Sequence, residues 1–284
     1  MARWTVRALL VAALGTLTAS APESLDALIN SRATTTRGAG LAGYDISWPE
    51  CSLRRGGRGL PMPSHRARWV IVGLTSGRPM TTNPCLDEQL TWAWLHRVPV
   101  QAYTMAGRPT PAQLAATGTH GPWPATTPLN RLRNAGWAQA RQTVRTTQDA
   151  GFLPPRIWVD VEPLRRQPWP TDTAADQAGN RAVLEGLLRG LAEAGFPSGL
   201  YASRSPWSEI TGGWKLPEVP VWVTAGPSDR SAAVRACDRP GFSGGPVWVA
   251  QWYTDIQDFD VSCAPFRLAL LPGDVKDGRA APAR

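Results

Sequence analysis

A short stretch in the middle of the chain carries two carboxylates that could work together. The segment RIWVDVEPLRR, residues 156–166, places Asp160 and Glu162 one residue apart, just before Pro163. Side chains at positions i and i+2 of a strand point the same way, so Trp158 and the two acids share one face. Burying two carboxylates is costly, but two acids of unequal pKa in a half-buried cleft can perform acid and base or nucleophilic catalysis, as in sugar hydrolysis.

The alternative for this pair is structural. Both acids could form ion pairs with arginines such as Arg165 and Arg166, which follow in the same segment. The position of the pair favours the catalytic interpretation, because Pro163 ends the strand and leaves Glu162 at its C-terminal end.

The elements that must hold these acids alternate between strand and helix. Apolar runs rich in Val, Ile, Trp and Tyr predict eight strands, at residues 43–47, 68–74, 98–104, 156–162, 198–203, 219–224, 246–252 and 258–262. Helical patterns lie between them, at residues 84–97, 130–151, 174–195, 205–212 and 229–237. This order predicts an α/β fold, a (β/α)8 TIM-barrel-like single domain. A doubly wound sheet is the alternative, although no Gly-rich phosphate loop follows the first strand.

In a barrel, acids on several strands would meet at one end. Barrel enzymes keep their active sites at the C-terminal ends of the strands, which is where Glu162 lies. Asp45, in GYDISWPEC, is followed by the strand-ending pair Trp48-Pro49, and Asp260 belongs to the last predicted strand. For Asp260 a loop-capping role is the alternative. Trp48 and Trp252 lie at or after strand ends and are candidates for stacking on sugar rings.

The N-terminal end of the chain predicts export. Residues 1–21 have a charged start, a short apolar core and a small-residue cleavage site, as in a secretory signal peptide. A retained signal anchor is the alternative, but the apolar run is shorter than a membrane span needs. Residues 22–41 read as a linker, 42–268 as the barrel domain and 269–284 as a flexible tail. The expected location is extracellular, with cell-wall association.

The cysteine count agrees with export. An even number of cysteines in a secreted chain predicts disulfides. Three pairings are possible for four cysteines, and pairing of nearest neighbours favours Cys51–Cys85 and Cys237–Cys263. No CxxC motif occurs and the three histidines are far apart, so neither a metal site nor a cofactor is predicted.

The net charge of the chain indicates which classes of partner it could bind. A formal net charge of +8 would draw the protein to anionic polymers of the cell wall. No basic block occurs, which argues against nucleic acid, and no later segment is apolar enough to span a bilayer. A monomer is expected.

Six motifs, in order, resemble a known family. GYDISWPEC, WVIVGLTSG, VQAYT, WVDVEP, GLYAS and VAQWYTDIQDFDVSC are similar to segments of the glycoside hydrolase family 25 lysozymes, and more so to related glycoside-hydrolase-like proteins secreted by actinobacteria. The likeness covers residues 43–265. It implies a (β/α) barrel that cleaves the β-1,4 linkage of peptidoglycan.

The resemblance also implies roles for single residues. Glu162 matches the general acid, and Asp160 the residue that stabilises the cationic transition state or the substrate's acetamido group. Asp45 matches the acid of the first strand, Tyr103 the tyrosine of the third and Asp260 the acid of the last.

Some positions depart from the lysozyme pattern. The sixth strand, VWVTAGPSD, lacks the Trp-x-Ala-x-Tyr ending, and Ser262 stands where lysozymes commonly have Asn. The sequence therefore predicts a secreted glycosidase that acts on cell-wall glycan, with an inactive barrel that binds wall polysaccharide or a protein partner as the alternative.

Overall fold

The computed structural model describes residues 40–263, and within them the chain forms one closed barrel. The predicted signal peptide (1–21), nearly all of the predicted linker (22–41) and the tail that was predicted to be flexible (269–284) lie outside the described residues. Eight strands pair in chain order around the barrel, β1 beside β8. They are β1 (Ala42–Ile46), β2 (Val70–Gly73), β3 (Val100–Met105), β4 (Ile157–Asp160), β5 (Ser198–Ala202), β6 (Val221–Thr224), β7 (Val247–Tyr253) and β8 (Asp258–Ser262).

Six α-helices occur in the described part of the chain. They are α1 (Leu86–Leu95), α2 (Pro111–Thr117), α3 (Pro128–Asp149), α4 (Ala174–Glu193), α5 (Arg204–Thr211) and α6 (Arg230–Ala236). Five of them confirm predicted helices to within two residues at each end. The sixth, α2, was missed in the Pro/Gly-rich stretch 105–128, where Thr110 caps it and Pro111 opens it.

The predicted α/β barrel is confirmed, with one difference in strand direction. Strands β1 to β7 are parallel, whereas β8 runs antiparallel to both of its neighbours. The reason is local, because only four residues separate β7 from β8 and a connection this short makes a hairpin. The connection from β1 to β2 contains 3-10 turns and no α-helix.

The two faces of the strands bury different cores. Inside the barrel, an aromatic cluster is formed by Trp69, Ile71, Trp158, Tyr201, Trp222 and Val249. Outside, residues such as Val159 and Val161 pack with the apolar faces of the helices. This division confirms that Trp158 points inward and the valines of β4 point outward. Among residues 40–263, no helix has the length and apolar character that crossing a membrane requires.

Two disulfides fasten opposite ends of the structure. Cys51–Cys85 joins the turn after β1 to the start of α1, and Cys237–Cys263 joins the end of α6 to the end of β8. Both predicted pairings are confirmed.

Candidate active site

The first two carboxylates lie at the end of strand β4 and two residues beyond it. Asp160 is its last residue, and the alternation that turns Trp158 inward also turns Asp160 inward, where 6% of it is exposed. Glu162 follows just beyond the strand. Trp169 donates its indole N–H to the backbone carbonyl of Glu162 at 3.1 Å, which fixes the chain where it leaves the barrel.

No cation neutralises these two acids within residues 40–263. The arginine–carboxylate ion pairs of this region lie elsewhere, at Arg55–Asp87, Arg55–Glu88, Arg133–Glu185 and Arg189–Glu193. Oδ1 of Asp160 is buried and has no hydrogen-bond partner in the described part of the chain. The alternative in which arginines pair with both acids is therefore wrong.

Burial and like charge change the acidity of this pair. Burial raises the pKa of Asp160 well above its usual range, and the charge of Glu162 raises it further. Burial also raises the pKa of Glu162, with an added contribution from Asp258. Both effects disfavour the ionised form, so the site keeps protons on carboxyl groups at pH values where exposed acids have lost theirs.

Asp45 enters the same space from β1. Gln251 on β7 donates its amide N–H to Oδ2 of Asp45 at 2.9 Å, and Tyr201 on β5 donates its hydroxyl to Oε1 of Gln251 at 2.7 Å. Burial raises the pKa of Asp45 most, and the charges of Asp260 and Asp258 add to that effect.

Asp260 lies deeper, on the inner face of β8. It is fully buried, and Trp222 donates its indole N–H to Oδ1 of Asp260 at 2.8 Å. Burial raises the pKa of Asp260, while the hydrogen bonds from Trp222 and with Asp45 lower it. The loop-capping alternative for Asp260 is wrong, because its side chain points into the barrel.

Tyr103 of β3 lies against this group of acids. Burial raises the pKa of its hydroxyl, and the charges of Asp45 and Asp160 raise it further. Its ring meets Trp222 edge-on, with 6.0 Å between centroids. Gly73 makes room for it, since a Cβ at that position would lie 2.8 Å from the Tyr103 ring.

Of the two tryptophan candidates, only Trp48 lies near the mouth, which is the end of the barrel at which the parallel strands β1 to β7 end. It lies in the 3-10 turn that follows β1, beside Gly77, where a Cβ would come within 2.7 Å of the Trp48 indole nitrogen. Trp252 points to the outer wall of the barrel, opposite to Gln251, and stacks on Phe259 with ring centroids 5.2 Å apart. The structure therefore separates Trp252 from the acids.

Sequence reasoning missed two further acids at the mouth. Asp258 faces Asp45 across the β1–β8 pair, and burial raises the pKa of Asp258 to about 6. Burial raises the pKa of Glu50 to about 7, and the backbone N–H of Ser47 donates to Oε2 of Glu50 at 2.7 Å. The sequence carried signals for both: Asp258 is two residues before Asp260 in a predicted strand, and Ser47-x-x-Glu50 is a capping box.

Gln251, Tyr201 and Trp222 were also missed as site residues. Each is buried in the barrel, and each hydrogen-bonds an acid or the partner of an acid. Tyr201 and Trp222 resemble ordinary core residues of apolar strands, whereas Gln251 is the polar residue in the apolar run VWVAQWY, a signal that could have marked it.

This arrangement is suited to acid catalysis on an uncharged substrate. It combines acids that keep their protons, an acid oxygen without a partner and an aromatic wall at one end of a barrel. In residues 40–263 no set of three or more His, Cys, Asp or Glu side chains is arranged to hold a metal ion.

Comparisons with known proteins agree with this architecture. The family model described as "Lysozyme-like protein 1" matches residues 126–233. A Dictyostelium discoideum protein named "Probable GH family 25 lysozyme 4" is 37% identical over 67 residues, and that match covers 23% of this chain and 28% of the relative. The chain thus matches little more than a quarter of that relative's length.

Solved structures extend the likeness over the barrel. A muramidase from Acremonium alcalophilum is 17% identical, with a TM-score of 0.51, over 81% of this chain and 98% of that one. A lysozyme from Streptomyces coelicolor is also 17% identical, with a TM-score of 0.51, over 80% and 97%. A family GH25 lysozyme from Aspergillus fumigatus is 15% identical, with a TM-score of 0.50, over 81% and 97%. The chain therefore has the lysozyme-like fold of glycoside hydrolase family 25.

Proposed function

We propose that this protein is a secreted glycoside hydrolase that cleaves β-1,4 linkages in the glycan strands of peptidoglycan. The observation that carries the proposal is the pair Asp160 and Glu162, which lies at the barrel mouth without a cation partner in the described residues. Sugar hydrolysis needs one carboxyl group that holds a proton and a second that supports positive charge. The lysozyme-like family match and the muramidase-like fold support peptidoglycan as the substrate.

Glu162 acts as the general acid in this proposal. It lies beyond the end of β4, where a glycosidic oxygen could reach it, and burial together with the charge of Asp258 keeps its pKa raised. A raised pKa retains the proton that must pass to the leaving sugar. Positioned proton transfer of this kind contributes roughly a hundred- to ten-thousandfold in rate.

Asp160 stabilises the positive charge that develops on the sugar. Its side chain points into the barrel mouth, and its Oδ1 makes no hydrogen bond within residues 40–263. In this proposal the carboxyl group of Asp160 supports the oxocarbenium-like centre or accepts a hydrogen bond from the substrate's acetamido group. Asp45 is the third catalytic acid, and Tyr103 and Trp48 provide aromatic surface for sugar rings.

The two disulfides of the barrel support export from the cell. Both disulfides join elements of the folded domain, and disulfides persist in oxidising compartments. With the signal-peptide pattern at residues 1–21, we propose that the protein acts outside the cell, on the wall itself.

The second candidate function is a catalytically silent barrel that binds wall polysaccharide. The observation in its favour is the sixth strand, where VWVTAGPSD departs from the lysozyme pattern. Such a protein would retain glycan and release no reducing ends.

The test is the release of reducing ends from purified peptidoglycan and a panel of wall polysaccharides. The oxidised protein is compared with Glu162→Gln, Asp160→Asn and the exposed-acid control Glu218→Gln, each checked by thermal melting. We expect release by the parent and by the control, and a loss of about a hundredfold or more in the two site variants. Glycan binding without release by the parent would establish the silent barrel instead.

A further inference from the structure

A chain of hydrogen bonds inside the barrel links three strands to Asp45. The hydroxyl of Tyr201 donates to Oε1 of Gln251 at 2.7 Å, and Nε2 of Gln251 donates to Oδ2 of Asp45 at 2.9 Å. The three residues are 6%, 5% and 7% exposed, so water hardly reaches them. Hydrogen bonds in such a place are strong and their loss is costly.

The chemistry of the donors sets the direction of this chain. A phenol hydroxyl that donates to Gln251 must meet the carbonyl oxygen, because the amide nitrogen has only N–H donors to offer. The amide N–H groups then face Asp45. In the structure, the amide of Gln251 accepts the Tyr201 hydroxyl with its oxygen and gives Asp45 an N–H donor, which leaves the carboxyl proton of Asp45 for another acceptor.

The carboxyl group of Asp260, like that of Asp45, accepts a hydrogen bond from a buried N–H donor. Trp222 can only donate, and its Nε1 reaches Oδ1 of Asp260 at 2.8 Å. In the strand register, Asp260 lies opposite Gln251 on one side and opposite Gly43 on the other. Because Gly43 has no side chain, nothing from that position separates the carboxyl group of Asp260 from Asp45, its diagonal neighbour on the same face of β1 and β8.

A hydrogen bond between two carboxyl groups requires a proton on one of them. The remaining oxygen of Asp260, Oδ2, is buried and has no N–H or hydroxyl partner in the described residues, and the carboxyl group of Asp45 is its diagonal neighbour on the same face. Two ionised carboxylates could not share so enclosed a place, because neither burial nor like charge tolerates them.

We propose that Tyr201, Gln251 and Trp222 are positioning residues that hold Asp45 and Asp260 as a carboxyl pair with a single shared proton. One oxygen of each acid accepts a hydrogen bond from an N–H donor, Nε2 of Gln251 or Nε1 of Trp222, and the proton lies between the other two. The pair then carries one negative charge beneath Asp160 and Glu162. The contribution of this carboxyl pair to catalysis rests on the proposed function, whereas the presence of the shared proton is independent of that function.

Other titratable groups face the pair. Asp258 on β8 and Glu50 in the turn after β1 add negative charge beside Asp45, and Tyr103 on β3 and Tyr201 on β5 present hydroxyls. Negative neighbours favour retention of the shared proton. No Lys or Arg of residues 40–263 forms an ion pair with Asp45 or Asp260.

The first test counts protons by infrared difference spectroscopy, following the carbonyl stretch of protonated carboxyl groups in the whole protein. Near neutral pH, we expect the double variant Asp45→Asn with Asp260→Asn to lose the band of one protonated carboxyl, because the pair in the parent holds a single proton. No loss of a band would mean that both acids are ionised in the parent, and loss of two would mean that both are protonated. Either result would overturn the proposal.

The second test examines the positioning residues. The N–H of Gln251 lowers the pKa of Asp45, so Tyr201→Phe, which releases the amide, should let the pair take up its second proton at higher pH. Thr143→Val is the control, since it also removes a buried hydroxyl, which bonds Thr104 and the backbone carbonyl of Gln139 outside the barrel interior. If Tyr201→Phe titrates like this control, the positioning role is wrong.

Activity separates this proposal from the proposed function. In an active hydrolase, the acidic limb of the pH–rate profile should move to higher pH in Tyr201→Phe and stay in place in Thr143→Val. A protein that releases no reducing ends but shows the infrared changes would keep the shared proton and lose the hydrolase assignment.

Discussion

Asp258 lies directly opposite Asp45 across the antiparallel pair of β8 and β1. Both side chains face the inside of the barrel, and the charge of Asp258 raises the pKa of Asp45 and, further along the mouth, of Glu162. Asp258 is thus the acid that links the group around Asp45 to the group around Asp160. Replacing it is the most direct way to change the electrostatics of the mouth without touching the proposed general acid.

Asp258→Asn should move the basic limb of the pH–rate profile to lower pH. Removing the negative charge lowers the pKa of Glu162, so this acid loses its proton at a lower pH than in the parent. The measurement is the rate of reducing-end release as a function of pH. Asp255→Asn, an exposed acid in the same hairpin, is the control and should leave the profile unchanged. An unmoved basic limb in Asp258→Asn would show that Asp258 does not influence the proton donor.

Unfolding free energy should fall as the pH rises through the neutral range. The folded-state pKa of Glu50, about 7, lies above its ordinary value of 4.5, and that of Asp258, about 6, lies above 3.8. The folded protein therefore binds these protons more tightly than the unfolded chain, and it is favoured at low pH. Chemical denaturation at about pH 5 and about pH 7.5 measures the difference.

Glu50→Gln should flatten this pH dependence. The neutral amide can still accept the hydrogen bond from the backbone N–H of Ser47, but it cannot ionise. The share of Glu50 in the stability difference is at most about 3 kcal/mol, from the width of its pKa shift. Glu218→Gln, at an exposed position, should leave the slope as it is in the parent. A slope unaffected by Glu50→Gln would mean that other groups titrate in this range.

The two tryptophan candidates should behave in opposite ways. Trp252→Ala removes a stacked partner of Phe259 on the outer wall, so it should reduce stability by about 1–2 kcal/mol and leave KM unchanged. Trp48→Ala removes an aromatic surface at the mouth and should raise KM for glycan several-fold with little effect on the melting temperature. Chemical denaturation measures the stability of both variants, and steady-state kinetics measure their KM for glycan. An equal change of KM in both would place Trp252 in the substrate path.

The disulfide between Cys237 and Cys263 should contribute about 3–4 kcal/mol to stability, from the loop that it closes. It encloses a sequence separation of 26 residues and fastens the far end of β8, the strand that completes the barrel. The double replacement by Ser should lower the denaturation midpoint accordingly. The Cys51–Cys85 pair, with a separation of 34, offers the matched comparison at the mouth. A double variant with the parent's midpoint would show that α6 and β8 remain docked without the bond.

Local patterns in the sequence were sufficient to predict most of the strands and helices of the fold. Strand and helix positions follow from runs and periods a few residues long, which is why the eight strands and five of the helices could be predicted. The inward direction of Trp158 and Asp160 also follows from alternation within one strand. The nearest-neighbour pairing of cysteines was correct because each pair joins elements that are separated along the chain by a single strand, β2 in one case and β7 in the other.

The tertiary structure alone decided which side chains meet. The contact of Tyr201 with Gln251 joins residues 50 apart in the chain, and that of Gln251 with Asp45 joins residues 206 apart. Such contacts depend on strand direction and register, and the reversal of β8 is what brings Asp258 opposite Asp45. Alternation gives Trp252 and Gln251 opposite faces, but only barrel closure determines which of those faces is the inside.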